Sequence, residues 1–170
     1  MKNIDIIMNN SMYTESLEKL KKYEENREFC NHTIEHFIDV ARIAYIMVLE
    51  EDLKVSKEVI YAIGLLHDIG RVKQYEEGIH HDIASVDMSR EILKETSFTE
   101  EEVKIILNGI ANHRKESDNK LEEIIYRADK LSRQCFSCKA ENECYWSKDK
   151  KNYVAYGLKP QLSRIRKPWV

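Results

Sequence analysis

The sequence predicts an all-α protein, a helical bundle of about six or more helices. Three observations carry this expectation. Glycine and proline are scarce, with 5 and 2 residues in a chain of 170, and turn-punctuated β folds usually need more of both. Apolar residues recur at helical spacing through most of the chain. The composition, 42% hydrophobic and 34% charged, is that of a globular chain long enough for one real core.

The elements follow in order. A first helix is expected over residues 12–23, with Leu17 and Leu20 turned inward. A second starts near Asn31 or Thr33, both good N-caps, and runs to about Glu51 with Phe37, Ile38, Ala41, Ala44, Tyr45 and Val48 on its stripe. A third starts near Ser56, carries Val59, Ala62, Ile63 and Leu66, and stops at Gly70, read as a C′ glycine. A fourth covers about residues 81–96. The fifth opens at Thr99 with Glu102 three residues later, a capping-box pattern, and reaches about His113. The sixth spans about residues 121–133, with Leu121, Ile124, Ile125 and Ala128 on one face. Beyond Cys135 the periodicity weakens.

With no repeat or linker, residues 1–170 read as a single domain. The core covers about residues 29–133, followed by a Cys-containing, basic extension over about 134–170. The net charge of −3, from 27 basic and 30 acidic residues, argues against a general nucleic-acid footprint. No apolar run approaches the roughly 18 residues of a membrane-spanning helix. No signal-peptide pattern stands at the N-terminus, so the expected location is cytoplasmic.

The informative residues are polar ones that interrupt apolar stripes. His36 shares a helix face with Val40 and Ile43, His81 with Ala84 and Met88, and His113 with Ile106 and Ile110. Asp129 follows Ile125 by one turn, and His67 and Asp68 come directly after Leu65 and Leu66. A buried carboxylate costs several kcal/mol unless it is paired or bound to a cation. A metal centre accounts for inward carboxylates and imidazoles together. Helical phase favours His81 over its neighbour His80, while His32, one turn before His36, stays open as an alternative to it.

Three segments, "EHFIDVARIAYIM", "AIGLLHDIGR" and "ADKLSR", together resemble the HD superfamily of metal-dependent phosphohydrolases, whose pattern is H…HD…D on a helical bundle. The resemblance covers roughly residues 29–133. It implies metal ligation by His36, His67, Asp68 and Asp129, with His67 and Asp68 as the catalytic pair. "HHDIAS" and "IANHR" resemble the intermediate histidines of the two-metal subset, adding His81 and His113. The resemblance then implies two divalent ions, iron, manganese or similar. His36, His67 and Asp129 would serve one ion, His81 and His113 the other, and Asp68 both. The pattern and size look most like bacterial enzymes that split diadenosine tetraphosphate symmetrically. The expected substrate is a nucleotide or related phosphoester or phosphoanhydride. Arg114, Arg71 and Lys130, with Lys73, are candidate phosphate contacts. Two rivals remain: a di-iron oxygenase of the same fold with the same ligands, and a non-catalytic nucleotide-binding protein.

Cys135, Cys138 and Cys144 form C-x2-C-x5-C, and Cys30 precedes the helix of His36. Two-residue spacing suits thiolates sharing one zinc ion, and structural zinc usually takes four ligands. Four unrelated thiols and a disulfide are the alternatives. The basic tail places Tyr153, Tyr156 and Trp169 among Lys and Arg. It is expected to pack on the bundle or make a homodimer contact rather than bind nucleic acid.

Overall fold

The computed structural model describes residues 1–148 and 150–153. It is all helical. The helices are α1 (Lys2–Asn9), α2 (Ser11–Tyr23), α3 (Ile34–Glu50), α4 (Lys57–Leu66), α5 (Arg71–Glu77), α6 (His81–Leu93), α7 (Glu100–Asn112) and α8 (Lys120–Leu131), followed by a 3-10 turn over Cys135–Ser137. The ends are set by local chemistry. The side chains of Asn10, Thr33, Ser56 and Asn119 each accept an N–H of the following turn. Thr99 and Glu102 close the capping box that their spacing predicts.

α3 packs against α4 and α8, α4 against α7, and α6 against α7. Between them lies one core in which Phe37, Ile60, Ile63, Leu66, Ile106, Ile124 and Ile125 are buried. Leu20 is buried with them, while Leu17 is only partly covered at its edge. Gly64 permits the close crossing of α3 and α4, because a Cβ there would lie 2.6 Å from the Cβ of Ala41.

Two helices were not expected. α1 is amphipathic, with Ile4 and Ile7 buried. α5 is only seven residues long and carries one buried residue, Val72. Too short for a periodic signal, it also changes the meaning of Gly70. This residue does not end α4 in a left-handed C′ conformation. α4 ends at Leu66, residues 67–70 form a tight turn, and Gly70 has φ −69° and precedes α5. The requirement for glycine is one of space. A Cβ would meet Ser85 N at 2.2 Å and His81 O at 2.6 Å, so this turn sits directly on the first turns of α6. The Gly70 N–H donates to Ser85 Oγ at 2.9 Å.

Among the described residues, no helix is long and apolar enough to cross a membrane. Tyr153 donates its hydroxyl to Glu141. Tyr156, Trp169 and the rest of the basic tail lie outside the described residues.

Candidate metal centre

Each candidate ligand stands at or near a helix terminus. His36 is in the first turn of α3, His67 is the C-cap of α4, and Asp68 follows it in the turn. His81 is the first residue of α6, His113 the C-cap of α7, and Asp129 lies in the last turn of α8. The bundle brings these termini together. His36, His67, Asp68 and Asp129 form one group of donor atoms within 4.8 Å of one another, and Asp68, His81 and His113 form a second.

Asp68 is common to both groups, and its two oxygens face different ways. Oδ1 lies 3.4 Å from His81 Nε2 and 3.6 Å from His113 Nε2. Oδ2 lies 3.5 Å from His67 Nε2. Asp129 Oδ1 is 3.4 Å from His36 Nε2 and 3.8 Å from His67 Nε2.

The far side of each ring is fixed. Nδ1 of His67 meets Gly64 O at 2.8 Å, that of His113 meets Ile110 O at 2.6 Å, and that of His81 meets Gln74 Oε1 at 2.9 Å. Nδ1 of His36 meets Ser132 Oγ at 2.9 Å, and that hydroxyl donates to Asp129 O. A carbonyl oxygen can only accept, so Nδ1 of His67 and His113 carries the proton and Nε2 presents its lone pair inward.

These inward atoms have no hydrogen-bond partner. The Nε2 of His67, His81 and His113 and the Oδ1 of Asp129 are buried and unsatisfied. Leaving such groups unpaired costs about 1–3 kcal/mol each, and four pointing to one place is a donor set built for a cation. The charge states of His36, His81 and the two carboxylates agree, whereas His67 is raised: burial opposes its charge, but Asp68 and Asp129 beside it prevail. Burial holds His36 down at about 3, Arg133 adding to the effect and Asp129 opposing it. Burial likewise holds His81 at about 3 against the pull of Asp68. Burial opposes ionisation of Asp68 and Asp129. The imidazoles of His67 and His113 around Asp68, and those of His36 and His67 around Asp129, nevertheless hold both well below the usual carboxylate range. Ionised carboxylates with neutral His36 and His81 are the forms that bind divalent metal. The residues fit such ions.

The two neighbour choices resolve differently. His80 is exposed and pairs with Asp82, whereas His81 is fully buried in the cluster. His36 belongs to the first group, yet His32 is buried beside it with Nε2 3.4 Å from Asp68 Oδ2. Nδ1 of His32 meets Glu24 Oε1 at 2.6 Å, and Tyr75 donates to the same oxygen at 2.9 Å. Burial works against the Glu24 anion, but bonds from His32 and Tyr75 prevail and hold it at about 2. Ser132, Gln74 and Glu24 carried no sequence signal, since their partners are set by the packing of separate elements.

The candidate phosphate contacts scatter. Arg71 Nε lies 3.2 Å from Asp68 Oδ1 and is engaged there. Arg114 is exposed next to His113. Lys130 is half-buried, its Nζ 3.6 Å from the centre of the Tyr126 ring. Lys73 lines a groove with Glu76 and Asp87, between α2, α5 and α6. Arg133 donates to Asn31 O at 2.9 Å and brings Nη2 to 2.9 Å from His36 Nε2 and 3.6 Å from Asp129 Oδ1.

The HD domain pattern matches residues 33–134, which include the six helices α3 to α8 and all six candidate ligands. The chain belongs to the HD domain family. An uncharacterized protein of Clostridium beijerinckii is 46% identical over 156 residues, covering 92% of this chain and 99% of that protein. Ribonuclease Y of Mycoplasma mycoides is 26% identical over 125 residues, covering 72% of this chain and 27% of that protein. No solved structure matches the chain. HD domains bind divalent metals and are typically hydrolytic, and the His/Asp cluster of this member can hold metal.

Proposed function

We propose that this HD protein is a metal-dependent phosphohydrolase with a two-ion centre, acting on a nucleotide or related phosphoester or phosphoanhydride. The observation that carries the reading is Asp68, whose two oxygens face two separate groups of imidazoles. His36, His67, Asp129 and Asp68 would hold one ion, and His81, His113 and Asp68 the other. Such ions supply hydroxide near neutral pH and polarise a phosphate oxygen. The chain's own residues supply the rest. The proton-bearing Nδ1 atoms keep the Nε2 lone pairs aimed inward, and Arg71 offsets part of the Asp68 charge. Arg114, exposed beside His113, and Lys130, next to Asp129, would be the contacts for a phosphate.

A dinucleoside polyphosphate is the finer substrate proposal, resting on the six-ligand pattern. The likeness to a ribonuclease, which spans about a quarter of that protein, adds a short RNA to the compounds worth screening. Zinc held by the cysteines would be a second, separate use of metal.

Protein purified without chelator is expected to contain iron, manganese or a similar divalent ion. It is expected to release phosphate or a nucleotide from this set when assayed with iron, manganese or cobalt. Turnover must persist without dioxygen; turnover only in its presence would make the protein an oxygenase. Ligand binding without turnover under any metal would make it a binding protein. His81→Ala should remove about one ion and leave the helices intact; unchanged metal content would reduce the centre to a single ion.

A further inference from the structure

The described residues after α8 have a property that the bundle lacks. No apolar side chain of residues 134–153 is buried among them; Lys151 and Asn152 are the buried ones. Phe136 is 44% exposed and Tyr145 82%. The segment is nonetheless folded into successive turns. The Cys138 N–H bonds to Cys135 O at 3.3 Å and the Cys144 N–H to Glu141 O at 3.3 Å. Lys151 Nζ donates to Glu141 O at 2.7 Å, and Asn152 Nδ2 donates back to Leu131 O at 2.7 Å. A short lobe without a core is ordinarily held by disulfides or a metal.

The thiols occupy the place where such a tie would act. All four cysteines are free. Cys30, Cys135 and Cys138 line one cleft, between the start of α3 and the end of α8. Cys30 is within electrostatic reach of Cys135, Cys138 and Cys144, and of the Arg133 guanidinium. Its backbone is left-handed, with φ +48°, a conformation that costs a non-glycine residue about 1–2 kcal/mol. Phe29, beside it, makes an edge contact with Tyr145 of the lobe, ring centres 6.4 Å apart.

We infer that Cys30, Cys135, Cys138 and Cys144 form a structural zinc site that ties the C-terminal lobe to the entry of α3. The ligand set is four thiolates, the arrangement of closed structural zinc sites. Zinc displaces the thiol protons to solvent, with no change of oxidation state. In a tetrahedron with Zn–S near 2.3 Å the sulfurs stand about 3.8 Å apart. The four sulfurs do not stand at that spacing without the ion, so binding zinc requires the thiols to draw together. This site shares no ligand with the HD centre, although His36 and Ser132 line the same cleft.

The test uses the full chain, purified reduced and without chelator. Zinc is expected to survive Asp68→Ala, which disrupts the HD centre, and to fall by about one ion per chain in Cys138→Ser. Cobalt in place of zinc should give a sulfur-to-cobalt band in the near ultraviolet that is lost in Cys138→Ser and kept in Asp68→Ala. Thiol reactivity of the wild-type chain is a check that needs no variant. The four cysteines should resist Ellman's reagent until chelator is added. Immediate reaction of all four in the untreated protein would overturn the site. So would acid-labile sulfide, which would mark an iron–sulfur cluster, or disulfide bonds persisting in the reduced protein.

Discussion

The bundle and the lobe that follows it are stabilised in opposite ways. In the bundle, α3, α4, α7 and α8 bury Phe37, Ile63, Ile106, Ile124 and their neighbours in one continuous core, and the polar centre is assembled on top of it. In the lobe, hydrogen bonds among Glu141, Lys151, Asn152 and Leu131 hold turns in which Phe136, Tyr145 and Tyr153 are exposed and Trp146 is only half-buried. The lesson is about tolerance. A group of buried donors facing one another needs a scaffold that resists their repulsion, and only the bundle supplies one.

The strongest way to break this contrast is at Asp68. Asp68→Ala removes the carboxylate shared by both groups, and metal content and turnover are expected to fall together. Full turnover in this variant would sink the proposed centre. Next in size is a matched pair of truncations. Phe37→Ala should cost about 3–5 kcal/mol, as for other large core deletions. Phe136→Ala should stay within about 0.5 kcal/mol. Denaturant midpoints measure both, and equal losses would mean that the lobe has a core after all.

Acid should loosen the approach to the centre before it melts the core. Glu24 is held at about 2, below its ordinary 4.5. Its folded pKa is depressed, so its contribution is fully present above about pH 4.5 and is lost as pH falls toward 2. The full effect is on the order of 3 kcal/mol. Glu24→Gln should flatten the acid limb of a stability–pH curve in that window, and an unchanged limb would show that the carboxylate contributes nothing there. A smaller effect than at Glu24 is expected at Ser132, whose hydroxyl sits between His36 Nδ1 and Asp129 O. Ser132→Ala should weaken metal binding by roughly 10–100-fold, as removal of such outer partners does elsewhere. A metal titration giving wild-type affinity would show that packing alone orients His36.

What was legible in the sequence follows from what has a period. His36, His81, His113 and Asp129 each interrupt an apolar stripe at helical spacing, so their inward direction could be read before any contact was known. The capping box at Thr99 was legible for the same reason: its chemistry lies within four residues. α5 was not, because seven residues give no period, and Gly70 was assigned the wrong role because a glycine after an apolar run looks the same whether it frees φ or makes room. His32 looked like a substitute for His36. It stands beside His36 with Nε2 toward Asp68, and its Nδ1 pairs with Glu24, eight residues earlier, across the loop that precedes α3. The bond from Ser132 to His36 spans 96 residues, and no local pattern encodes it.

Gly70 also acts as a spacer. On one side is the turn that carries Asp68, and on the other the first turn of α6, which carries His81. The 3.4 Å separation between Asp68 Oδ1 and His81 Nε2 is therefore set by the absence of one methyl group two residues from the carboxylate. Adding that methyl would wedge α6 away from the turn. It would carry His81 away from Asp68 without changing any ligand residue.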